Sequence, residues 1–208
     1  MLQKHLKGTV DLELSLVSHI VCFGFFVFGS VIGTICAASS IGSTSVVVNS
    51  SLERFYGYIS VNDISLSFLL CGISIVFILL IFISSFFLFG SVSVSVILFI
   101  KAFSFSFCFS SIILACGKDV LFLFLVYSLC DLFVFIPVCI CMSVRSFQTS
   151  CRLFGKVFQG RLYKPYDRSF LMKNSILFVF AGAAIIAQIY LLPLLAERYS
   201  PVLMRKFF

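Results

Sequence analysis

From Leu14 to Ala38 the chain carries no lysine, arginine, aspartate or glutamate, and apolar runs of similar length recur to its end. Between Ile64 and Cys116 a single charge, Lys101, stands among 53 residues. A helical residue rises ~1.5 Å and the hydrocarbon core is ~30 Å thick, so an uncharged apolar run of ~18 residues or more predicts a membrane span. Residues 64–115 are too long for one span and suit two joined by a tight turn, for which Gly90 is the candidate. Polar stretches separate the others: 39–63, rich in Ser and Gly; "GKD" at 117–119; and 144–175. The pattern predicts five helices, near 14–38, 65–88, 91–115, 120–143 and 175–196. The expected fold is an all-α, polytopic membrane helix bundle forming one domain over 1–208. Ser and Phe alternate through Phe103, Phe105, Phe107 and Phe109, as in a β-barrel strand, but the unbroken runs on either side favour helix.

Composition strengthens this reading. The 208 residues are 61% hydrophobic and 11% charged, with a mean hydropathy of +1.18, whereas soluble domains are about 25% charged. The net charge of +7 does not point to nucleic acid, because the basic residues flank spans, where they set orientation and meet anionic lipid head groups. Arg145, Arg152, Lys156, Arg161, Lys164, Arg168 and Lys173 stand in 144–175 against one acid, Asp167. The positive-inside bias makes this basic loop cytoplasmic, with the N-terminus inside and the 39–63 loop and C-terminus outside. Nine Lys and Arg then fall inside and five outside. The first run exceeds the ~7–15 residues of a signal-peptide core, which favours a retained anchor over cleavage at "CAAS", 36–39.

Eight of the nine cysteines fall in or at the ends of spans, where cysteine acts as a small hydrophobe; only Cys151 lies in a polar segment. Cys139-x-Cys141 lacks the spacing of a zinc or redox pair. No Ser-His-Asp, HExxH, P-loop or GxGxxG pattern occurs. No catalytic, cofactor-binding or metal residues are expected, and His19 and Gln188 read as interfacial and interhelical groups.

The chemistry that remains is Lys101. A lysine mid-membrane costs ~2.5–3.5 kcal/mol on insertion scales and needs a partner or water. The next intramembrane charge is Asp131. Lys101 lies 14 residues before the end of its span and Asp131 about 11 into the next, so their depths differ by about 5 Å. The short 116–119 connection makes the helices antiparallel neighbours, and the two residues are expected to pair. The pair reads either as a lock on helix register or as a proton or ion relay. Transport sites bring several polar groups and broken helices, and one pair plus Pro137 favours the structural role. Ala102, Ser106 and Ser110 follow Lys101 at a spacing of four, one helix face without bulk. Gly29, Gly33 and Ala37 repeat the device. Small residues let helix backbones approach in lipid.

Several stretches carry a resemblance. "FLFGSVSVSVILFIKAFSFSF" (87–107), "SLCDLFVFIPVCI" (128–140), "YSPVLMRKF" (199–207) and "FFVFGSVIGTICA" resemble, in order and spacing, segments of the bacterial stage II sporulation protein M family. Ala102, Ser106 and Ser110 stand where that family tends to have glycine. Cys130-Asp131-Leu132 stands where a proline and amide residues are usual, which makes the Lys101–Asp131 pair a feature of this chain. The resemblance implies a non-enzymatic membrane scaffold of endospore formation, acting with the peptidoglycan hydrolases, stage II sporulation proteins D and P, at the septum during engulfment. The alternative is a small transporter or permease subunit built around the Lys–Asp pair.

Overall fold

The computed structural model describes residues 2–40, 64–116, 128, 131–159, 170–184, 186 and 190. Among these the chain is all-helical. Helix α1 is Leu2–Ser39, α2 Ile64–Ser84 and α3 Gly90–Cys116. A π-helical turn, Asp131–Phe135, leads into α4, Ile136–Gln159. Helix α5 is Phe170–Ala184. Among the described residues, three helical stretches are long and apolar enough to cross a membrane: Glu13–Ser39, Gly90–Leu114 and Asp131–Phe158. The apolar stretches Gly72–Ser84 and Phe170–Ala184 are shorter.

Serine and threonine fit these apolar helices because their hydroxyls bond back to the preceding turn. Ser30 donates to the Phe26 carbonyl at 3.0 Å, Ser84 to Leu80 at 2.7 Å and Ser95 to Ser91 at 3.0 Å. The α2–α3 connection occupies 85–89. Successive i+3 bonds, Ser85 N–H to Phe82 O at 3.1 Å and Phe86 N–H to Ile83 O at 3.0 Å, tighten the end of α2. A Cβ on Gly90 would collide with the Ser84 carbonyl. The turn therefore needs glycine where the sequence places one.

The fourth helix departs from expectation. Its predicted span ended at 143, with a basic loop from 144, yet the helix continues to Gln159. Arg145, Arg152 and Lys156 thus lie on α4 and Lys173 on α5; Arg161, Lys164 and Arg168 lie outside the described residues. The physical reason is amphipathicity. The charges of 145–156 fall on one stripe, while Ser146 and Ser150 are buried beside it. Pro137 brings no N–H for the carbonyl four residues back, and the backbone widens into the π turn just before it.

Helices α1 and α3 run parallel, since Gly29 meets Phe99 and Ala102 while Gly33 meets Phe103, Ser106 and Phe107. Helix α4 packs against α1, α2 and α3. One core cluster joins Cys22 of α1, Ile78 and Ile81 of α2, Leu98 of α3, Phe135, Cys139 and Met142 at α4, and Ala181 and Ala184 of α5. Outward faces remain apolar, with Ile20, Val31, Ile35, Val92 and Ile100 all exposed, as suits a surface facing lipid rather than water.

Candidate intramembrane charge site

The site is assembled from three elements. Helix α3 supplies Lys101, the π turn supplies Asp131 at its first residue, and α2 supplies Ser74 and Phe77. Lys101 Nζ lies 3.5 Å from Asp131 Oδ1. The Ser74 hydroxyl sits between them, accepting from Lys101 Nζ at 3.2 Å and donating to Asp131 Oδ1 at 3.0 Å. Phe77 follows Ser74 by three residues on the same face of α2 and places its ring 5.5 Å from Nζ. The ammonium thus meets an anion, a hydroxyl and a π face. The two side chains differ in access. That of Lys101 is 9% exposed and that of Asp131 29%, so the carboxylate keeps an open edge.

Sequence reasoning pairs Lys101 with Asp131 but misses Ser74 and Phe77. A serine-rich span such as 64–84 offers no signal to single out one hydroxyl. That choice depends on the rotation of α2 about its axis.

The two small-residue strips meet each other. A Cβ on Gly29 would lie 2.6 Å from the Phe99 carbonyl oxygen, and one on Gly33 2.6 Å from that of Phe103. Ala37 and Ala102 are buried. Polar groups reinforce the seam. Ser106 Oγ donates to the Ser30 carbonyl at 2.8 Å and lies 2.7 Å from Thr34 Oγ1, which accepts from Ser110 at 3.4 Å. Ser30 and Thr34, each following a seam glycine, went unread in the sequence.

Of the basic residues on helices, Arg145 is half-buried with Nη1 unpartnered, whereas Lys156 and Lys173 are exposed. His19 is exposed, with Nδ1 2.6 Å from the Ser15 carbonyl; Gln188 lies outside the described residues. Cys22, Cys36, Cys108, Cys139, Cys141 and Cys151 are free thiols. No protein-family model matches the chain, and no curated protein or solved structure is significantly similar to it.

Proposed function

We propose that this chain is a non-enzymatic scaffold of the bacterial cell membrane that acts in endospore formation, recruiting or positioning peptidoglycan hydrolases at the septum during engulfment. The observation that carries the scaffold reading is that the buried lysine is matched from within the bundle. Lys101 is matched by Asp131, Ser74 and Phe77 within the bundle, and the α1–α3 seam brings backbones into contact. Such a bundle presents a fixed outer surface, which positioning other proteins requires. The sporulation setting, with stage II sporulation proteins D and P as partners, rests on the resemblance of the quoted stretches alone. In that setting, deleting the gene leaves the hydrolases active but mislocalised, with septal wall persisting. Fluorescent fusions to the hydrolases in sporulating cells test this, and normal septal localisation in the deletion strain would sink the proposal.

A second reading, a transporter using Lys101 and Asp131 as a relay, is favoured by one feature. Asp131 opens a π turn, a distortion frequent at functional sites, and its carboxylate is the less enclosed of the pair.

A further inference from the structure

The course of α4 relative to α3 can be read from two contacts. Near one end Asp131 meets Lys101. Further along, Ser150 Oγ donates to the Phe87 and Leu88 carbonyls and accepts from the Ser91 N–H at 2.9 Å. Between these contacts α3 advances ten residues, about 15 Å, while the helix through Asp131 and Ser150 advances nineteen, about 28 Å. Beyond Ser150, at its contact with the α2–α3 turn, the last turns of α4 continue for nine residues to Gln159.

Those turns are amphipathic. Phe154, Val157 and Phe158 share one face at spacings of three and four. Val157 is 57% exposed and Phe158 62%. Phe154 packs on Phe158 at 4.7 Å and on Phe89 of the α2–α3 turn at 6.4 Å, and Phe89 is itself 66% exposed. Lys156, exposed, stands on the opposite face, two residues from either phenylalanine. The sequence that follows adds Arg161, Lys164 and Arg168. Apolar residues on one face and an exposed lysine on the other match a membrane interface, with aromatic groups at the acyl boundary and the cation at head-group phosphates.

We propose that the end of α4, residues 151–159, together with Phe89 is an interfacial anchor that binds a leaflet of acidic phospholipid. Phe89, Phe154 and Phe158 enter the acyl boundary and Lys156 meets the phosphates. The occupant is lipid rather than protein because an aromatic patch at the end of an apolar bundle is backed by the exposed Lys156 on its far face, the order of charges across a head-group layer. The inference rests on the membrane-spanning reading of the bundle.

The chain contains no tryptophan, so Phe158→Trp and Ile100→Trp each give a sole reporter. Ile100, exposed beside Lys101, reads the middle of the bundle. Each variant is reconstituted in vesicles of neutral phosphatidylcholine or of phosphatidylcholine with phosphatidylglycerol, and quenched with shallow- or deep-brominated lipid or aqueous iodide. The expected result is deep quenching of the reporter at 100. At 158, shallow lipid should quench severalfold more than iodide does, with a blue shift on adding phosphatidylglycerol that Lys156→Gln abolishes. Deep quenching at 100 with iodide alone quenching at 158 overturns the anchor and leaves the bundle in the membrane. Shielding at 158 from lipid and iodide alike overturns it in favour of a protein partner, and lipid quenching indifferent to phosphatidylglycerol overturns the acidic leaflet. A reporter at 100 that lipid does not quench overturns the membrane reading itself.

Discussion

Lys101 is held by groups from two other elements: the Asp131 carboxylate at 3.5 Å and, on α2, the Ser74 hydroxyl and Phe77 ring. Removing one member of a buried pair strands the other, a loss of about 3–5 kcal/mol, whereas replacing both with apolar residues is often close to neutral. Lys101→Met should therefore lower the unfolding temperature in detergent more than Lys101→Met combined with Asp131→Leu does. Additive losses would show that the two residues do not interact. If the double variant is stable and vesicles containing it lose an uptake activity that the parent protein has, the relay reading gains over the scaffold. Ser74→Ala should cost less, about 1–2 kcal/mol, because it removes a shared hydroxyl and leaves both charges in place. The pair was legible in the sequence because charges are rare in spans and depth follows from counting residues. Ser74 was not, because hydroxyls are common there and the count does not encode helix rotation.

At the scale of the element, the seam between α1 and α3 depends on the absence of a Cβ at two positions. Gly33→Ala would bring its new carbon 2.6 Å from the Phe103 carbonyl oxygen. That neighbour is backbone, so the helices must part, at a cost of about 1–3 kcal/mol. Gly24 belongs to the same helix, yet a Cβ there meets nothing within 4 Å. Gly24→Ala should be neutral or stabilise by up to about 1 kcal/mol through helix propensity. Thermal unfolding of the two variants side by side checks this, and an equal response at both glycines would remove the seam as the cause. The strips were readable as strips from their spacing of four. Their mutual pairing was not, since each helix could have turned its small face to any neighbour. The end of the fourth helix was misread for a related reason. Arg145 and Arg152 looked like the close of a span, but both are half-buried on α4, with Arg145 Nη1 and Arg152 Nε enclosed.

For the whole molecule, orientation is the testable consequence of charge. The basic residues from Arg145 to Lys173 are proposed to lie in the cytoplasm, with the C-terminus outside. A reporter active only in the cytoplasm should work when fused after Arg161, and one active only outside should work at the C-terminus. The reverse pattern at both sites would refute five spans with the N-terminus inside. The long apolar runs determined by themselves that the chain folds as helices, since a backbone in lipid must satisfy its polar groups within each segment. They determined, too, which charges are too costly to stand alone. The tertiary structure alone decided which hydroxyl sits between Lys101 and Asp131, which strip faces which, and that α4 runs on to Gln159. Those outcomes turn on the rotation and tilt of each helix. Rotation and tilt are set by side chains packing between helices far apart in the chain, and hydropathy along a single segment carries no record of them.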